Sequence, residues 1–239
     1  MVNISFSWDD GAIEDLKLMD LSLKYDIPGI FFIPATNPER DVLSEKEIKI
    51  LADNDFEIGA HTYSHSYLTQ LSIIEAKEEM VKGKLFLEQL LGKRIPHFCF
   101  PGGKLNSDLV NLSMQFFKSA RTADTGALLQ NNSYLIRPSF HFYNRGKKSI
   151  IYNSLKNNSV VFRISLQNIM ALNYFDLIKN IIFDLCNTSD NHKIIVWGHS
   201  WEIEEFKLWG RLEDMFQSFR SSDAMSISRY SDLINKVYV

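Results

Sequence analysis

V-N-I-S-F-S-W-D-D-G, Val2 to Gly11, opens the chain with a strand-like run that ends in two adjacent carboxylates. Val2–Trp8 mixes β-branched and aromatic residues with small polar ones, a composition that suits a pleated, packed strand. Asp9 and Asp10 follow at once. Neighbouring charges repel, and a strand end has no packing need for them. Asp and Gly favour turns and helix caps, so Asp9-Asp10-Gly11 taken alone reads better as a turn and helix cap.

Outward from this stretch, short β-rich runs alternate with helical ones. Asp15–Lys24 reads as an amphipathic helix and Gly29–Pro34 as a compact apolar strand. Ser44–Asp53 is a helix whose Ser44 and Glu47 have capping-box spacing. Phe56–Ala60 is a strand. Ile73–Leu91 is a long helix with apolar residues near a 3.6 period, closed by Gly92. His97–Phe100 is a strand, Ser107–Phe117 a helix and Lys118–Arg121 extended. Val160–Ser165, Ile194–Gly198 and Met225–Ser228 read as further strands, while Asn131–Gly146 has no clear period. Strands separated by helices of this length pair in parallel through crossovers. The expectation is one α/β domain over residues 1–239, a closed or nearly closed (β/α) barrel whose chemistry collects on the loops after the strands.

Bulk composition narrows the function. The 239 residues are 45% hydrophobic, enough for a sizeable core and against disorder. A net charge of −3 leaves no basic excess for a phosphate backbone, which argues against nucleic acid as the partner. The two cysteines, Cys99 and Cys186, lie far apart and read as thiols in a reducing compartment. The first residues lack a basic segment followed by an apolar stretch, and no apolar run approaches the ~20 residues of a membrane helix. The expectation is a cytoplasmic protein without a membrane span.

Four polar clusters stand at strand ends: Asp9-Asp10-Gly11, H-T-Y-S-H from His61 to His65, Pro101-Gly102-Gly103, and H-S-W-E from His199 to Glu202. A barrel puts all of them on one rim. His61 and His65, four apart, share a face if the chain makes a helical turn there, close enough to grip one ion. Imidazole suits zinc and similar metals. A carboxylate from another strand end would complete a three-ligand site with open positions. One of the paired aspartates then binds the ion while the other stays free as a base, and the ion relieves their repulsion.

Taken together, F-S-W-D-D-G, H-T-Y-S-H, a Pro-containing loop and a late strand ending in His resemble the polysaccharide deacetylase family (NodB homology, carbohydrate esterase family 4), from Phe6 to Glu202. The resemblance implies a distorted (β/α)7 barrel that removes N-acetyl groups from sugars with a divalent metal, commonly Zn2+. By the same resemblance, Asp10, His61 and His65 hold the metal, Asp9 is the general base and His199 the general acid. The family's third motif, Arg-x-Pro-aromatic-Gly, here reads C-F-P-G-G: Pro101 and Gly103 match, Cys99 replaces the arginine and Gly102 the aromatic. Arg121 or Arg163, each on an expected strand, is the candidate replacement for that arginine. The usual fourth motif, Asp-x-x-Asp-Trp, is missing. The Gly102 amide is the candidate oxyanion donor, after Pro101.

Trp201, expected on a loop after His199, is a candidate sugar platform, as is Tyr63, while Trp8 and Trp197 read as core. Glu202 reads as a helix cap, and His97, His141 and His192 as structural. The expected partner is an N-acylated sugar or glycan precursor. A deformylase acting on a small, nucleotide-linked or lipid-linked sugar, or a catalytically weak metal-containing binding module, are the competing expectations.

Overall fold

The computed structural model describes residues 1–130, 133–170 and 173–235. Chain order is β1 (Val2–Asp9), α1 (Asp15–Lys24), β2 (Gly29–Ile33), α2 (Glu45–Asp53), β3 (Glu57–Ala60), α3 (Ile73–Leu91), β4 (His97–Cys99), α4 (Ser107–Ser113), β5 (Ser119–Arg121), β6 (Leu135–Ile136), β7 (Phe140–His141), α5 (Lys148–Asn157), α6 (Ser159–Gln167), α7 (Tyr174–Cys186), β8 (His192–Gly198), α8 (Ser200–Glu205), α9 (Trp209–Arg220), β9 (Met225–Ile227) and α10 (Tyr230–Asn235). Among the described residues the strands form one sheet in the order β6-β5-β4-β3-β2-β1-β8-β7, with β9 beside β1. Every pairing of these strands is parallel. The sheet curls into a distorted (β/α)7 barrel, open at the seam between β6 and β7, as the alternation of strands and helices requires.

β1 is the axis of this sheet. It is buried along its whole length. β8 runs along one edge from Val2 to Trp8. The other edge is shared, with β9 taking Val2–Ile4 and β2 taking Phe6–Asp9. Period-2 alternation divides its side chains. Val2, Ile4, Phe6 and Trp8 join the main core, where Phe6 meets Phe216 of α9 edge-on at 4.9 Å. The opposite face looks into the barrel, whose lower part is filled by Ile30, Phe32, Ile195 and, from α10, Tyr230 and Leu233. α10 therefore plugs one end of the barrel, and Asp9 emerges at the other.

The predicted capping box of Ser44 with Glu47 forms, a second joins Ser72 with Glu75, and Gly92 closes α3 in the left-handed conformation as expected. Two expectations are corrected. Val160–Ser165 is not a strand but the body of α6. Its β-branched residues mimic a strand, but Asn158 caps the Val160 and Val161 amides, and Val161, Ile164 and Ser165 bury one face at helical spacing. The predicted helix Ser107–Phe117 stops at Ser113, after which Gln115 and Phe116 bond back only three residues. Within the unpatterned segment Asn131–Gly146, positions 131–132 lie outside the described residues, and the remainder supplies the two-residue strands β6 and β7.

Candidate active site

The upper ends of β1, β2, β3, β4, β5 and β8 surround a cleft of about 360 Å3 whose walls include Asp9, Asp10, His61, His65, Gly102 and His199. All four strand-end clusters read from the sequence reach it. The reason two aspartates stand together is visible in the backbone. Asp10 takes a left-handed φ of 79°. That turn sends the two carboxylates in different directions, Asp9 into the barrel and Asp10 towards the histidines. The cap reading is excluded, because the cap position of α1 is Glu14.

Asp10, His61 and His65 present ligand atoms that all lie within 4.8 Å of one another. Asp10 Oδ1 is 3.0 Å from His65 Nε2 and 3.5 Å from His61 Nε2. His61 Nδ1 donates to the Cys99 carbonyl oxygen at 2.8 Å. A carbonyl only accepts, so Nδ1 carries the proton and the Nε2 lone pair faces Asp10, the tautomer a metal ligand needs. Trp201 Nε1 donates to Asp10 Oδ2 at 2.9 Å, which fixes the carboxylate with Oδ1 towards the histidines. Burial works against ionising Asp10, but its histidine neighbours His61, His65 and His199 outweigh it and hold the carboxyl far below its usual range. The residues fit a divalent ion with three protein ligands and an open side towards the cleft. Two other groups bring donor atoms equally close, Asp9 with His61 and Cys99, and His141 with His199 and Glu202. Neither fits as well. Asp9 is engaged by Arg121, burial pushes the Cys99 thiol well above its usual pKa, and Glu202 is already shared by both imidazoles.

The histidine loop is not a helical turn. Thr62 and His65 both have positive φ, 64° and 56°. α3 holds this shape. Glu79 Oε2 accepts from the backbone N–H groups of Tyr63 and Ser64 at 3.1 and 2.9 Å, and its Oε1 from the Ser64 hydroxyl at 3.0 Å. Gly83, one turn on, lets the loop touch the helix: a Cβ there would lie 2.4 Å from the Thr62 carbonyl oxygen.

Of the two candidate arginines, Arg121, at the end of β5, is the one that reaches Asp9. Its Nη2 bonds both oxygens of Asp9, its Nη1 donates to the Thr122 carbonyl at 2.8 Å, and the side chain is fully buried. Cys99 and Arg121 are direct partners in the β4–β5 register. The guanidinium that reaches Asp9 therefore comes from the strand beside Cys99, and the Cys99 thiol donates to Asp9 Oδ2 at 3.5 Å. Arg163 is exposed on α6 and does not line the cleft.

His199 Nδ1 is 2.8 Å from Glu202 Oε2, and His141 Nε2 is 3.0 Å from the same oxygen. Burial would lower the His199 pKa, but the Glu202 hydrogen bond and the charges of Asp10 and Asp9 raise it to about 8. Burial dominates at His141 and brings it down to about 4, so Glu202 holds a neutral ring there. Burial also opposes the charge on Glu202, yet its two histidine partners lower it to about 2. Glu202 is thus an ionised partner of His199 rather than a plain helix cap. Trp201 lies on α8, not on a loop. Arg40 covers one face of its indole at 3.7 Å, so the ring is clamped, not free as a platform. Tyr63 points away to Phe86, Trp8 is core, and Trp197 is buried against His141 at 3.9 Å.

Tyr67, Arg40, Arg145 and His141 line the cleft without having been expected there. Arg40 follows β2, so extending the strand-end rule to that loop would have found it. The Tyr67 ring occupies the space that a side chain at position 102 would need. Gly102 has φ 60°, and a Cβ on it would fall 2.6 Å from the Tyr67 ring. Pro101 is buried and opens the turn that presents Gly102.

Residues 3–116 match the family described as Polysaccharide deacetylase. The chain is 23% identical over 112 residues to the uncharacterized protein YlxY of Bacillus subtilis (strain 168), covering 47% of this chain and about a third, 34%, of that relative. Solved structures share the fold. One is the Bc1960 peptidoglycan N-acetylglucosamine deacetylase bound to a naphthalenyl N-oxidanyl-benzamide, with TM-score 0.60, 15% identity and coverage of 98% of this chain and 90% of that one. Another is a family 4 carbohydrate esterase from Streptomyces lividans in complex with acetate, with TM-score 0.55, 12% identity and coverage of 94% and 90%. A third is a mutant of BA3943, a CE4 family pseudoenzyme with restored enzymatic activity, with TM-score 0.61, 14% identity and coverage of 99% and 68%.

Proposed function

We propose, from the match of residues 3–116 to the polysaccharide deacetylase family, that this chain is a metal-dependent amide hydrolase of that family, removing the N-acetyl group from an amino sugar or glycan precursor. The observation that carries this reading is the meeting of Asp9, Asp10, His61, His65 and His199 in one cleft from strand ends far apart in the chain. Asp10, His61 and His65 are the ligands, and two imidazoles with one carboxylate suit Zn2+. A divalent ion so held supplies Lewis acidity to a water and to the amide carbonyl.

The chain's own groups do the rest. Asp9 takes a proton from the attacking water, and Arg121 holds its carboxylate in place for that transfer. Gly102 lines the cleft with no side chain between its amide and a ligand, the property of an oxyanion donor. His199, protonated near neutral pH with Glu202 on Nδ1, presents Nε2–H to the departing sugar nitrogen. That proton is essential, because an amide anion is a very poor leaving group.

A metal-binding module without turnover would need neither Asp9 nor His199. Here both are equipped with partners, Arg121 and Glu202, that replace the altered family motifs, which favours an enzyme. The cytoplasm is the compartment we infer, since both cysteines are free thiols and Cys99 stands against the base.

Zinc analysis and acetate release from N-acetylated sugars test the assignment together. Asp9→Asn keeps the metal and loses about 10²–10⁴ in turnover, whereas His65→Ala loses the metal. Normal turnover by Asp9→Asn would remove the base, and formate released in place of acetate would make the enzyme a deformylase.

A further inference from the structure

The cleft holds more cationic side chains than the proposed reaction uses. Arg40 stacks on Trp201 with its guanidinium carbon 3.7 Å from the ring centre. Its Nε is 3.6 Å from Asp10 Oδ2, is buried, and has no hydrogen-bond partner among the described residues. Its other ionic contact, Glu39 at 3.8 Å, is a carboxylate 55% exposed, where solvent screens most of the attraction. Arg145 lines the same cleft and makes no ion pair among the described residues. Lys104 Nζ lies 4.3 Å over the Tyr67 ring at the same mouth.

The anions of the cleft are otherwise spoken for. Asp9 belongs to Arg121 and Glu202 to His199. Asp10 belongs to the proposed divalent ion, and once that ion is bound the cradle beside Arg40 carries net positive charge. A guanidinium clamped by stacking next to a dication is repelled unless an anion enters with the ligand. We propose that the substrate is an acidic amino sugar, one bearing a carboxylate or phosphate, whose charge is received by Arg40 and Arg145. This rests on the deacetylase reading and names its substrate class. The planar guanidinium fork matches either anion in bidentate fashion. A cleft of about 360 Å3 lies at the small end of the range for small-molecule sites, suited to a short ligand read by a few charged contacts.

The test is calorimetric titration of the zinc-loaded protein with three sugars that carry no acyl group and so cannot turn over: D-glucosamine, D-glucosamine 6-phosphate and muramic acid. The expected result is that at least one acidic sugar binds about tenfold or more tightly than glucosamine. The preference shrinks when salt is raised to about 0.5 M. Whether the phosphate or the carboxylate is preferred identifies the acid. Arg145→Gln, at an exposed position where folding is not at stake, lowers the ratio, and Arg40→Met lowers it further. Equal affinity for all three sugars overturns the proposal. So does inorganic phosphate binding as tightly as the sugar phosphate, or a preference untouched by both substitutions. Acetate release from the matching N-acetyl sugars reads the deacetylase assignment separately. An acidic preference with no acetate released sinks that assignment alone, and release from neutral and acidic sugars with equal affinity sinks only the acidic site.

Discussion

Arg121 and Cys99 face each other across the β4–β5 pair, and both reach Asp9. A buried guanidinium is tolerated there because a buried carboxylate answers it, and removing one partner strands the other at a cost of roughly 3–5 kcal/mol. Arg121→Cys is therefore expected to lower stability by that order and to abolish most turnover. The double variant Arg121→Cys with Cys99→Arg returns the cation to the neighbouring strand on the same face and recovers part of both losses, measured by denaturant titration and acetate release. No recovery would mean that the two positions are not interchangeable supports for Asp9. Glu202 does for His199 what Arg121 does for Asp9. Because the His199 pKa is raised to about 8, activity that needs its proton falls as pH rises through that value. Glu202→Gln removes the main support of the imidazolium, so the alkaline limb of kcat/KM moves to lower pH. An unmoved limb would take His199 out of the acid role. H-T-Y-S-H and the paired aspartates were legible because their letters are adjacent, whereas the choice of Arg121 over Arg163 and the pairing of Glu202 with His199 needed register and a helical turn.

α3 shows what an element contributes beyond its own core face. Ala76, Met80 and Leu87 bury its inner stripe, and Glu79 and Gly83 shape the histidine loop. In an exposed helix interior Gly→Ala gains about 1 kcal/mol. At position 83 the sign reverses, because the new methyl meets backbone at 2.4 Å and the loop must move. Gly83→Ala is expected to destabilise by about 1–3 kcal/mol and to weaken zinc binding, read by thermal melting with and without a competing chelator. Glu79→Ala weakens zinc with less effect on the helix, since it frees only the loop amides. Unchanged zinc affinity in both variants would show that the loop keeps its left-handed residues unaided. The capping box of α2 and the glycine that closes α3 were readable because each signal is local. α6 was not, because Val-Val-Phe-Arg-Ile-Ser suits a strand by composition, and only packing of Val161 and Ile164 decides for the helix.

For the whole molecule, acid exposes a buried histidine away from the cleft. His97 is 4% exposed, bonds Ser119 through Nδ1 at 2.9 Å and packs on Tyr230 of the plug helix at 5.3 Å. Burial, aided by the charge of Lys118, lowers its pKa to about 4. The folded chain therefore stays unprotonated where the unfolded chain takes up a proton. That contribution is fully present above pH about 6.5 and is lost as pH falls from there towards 4, by roughly 3 kcal/mol. His97→Gln should flatten stability against pH in that window, and an equal slope in both proteins would assign the acid sensitivity elsewhere. Strand-end motifs, helix caps and the alternation of strand and helix were determined by the sequence alone, because each depends on residues a few positions apart and on steric rules that act within one turn or one pleat. The contacts of Arg121 with Asp9, of Tyr67 with the space beside Gly102 and of Glu202 with His199 were decided only by tertiary structure. Each of those contacts depends on which strand end lies beside which, and that follows from how the sheet curls and where its helices pack.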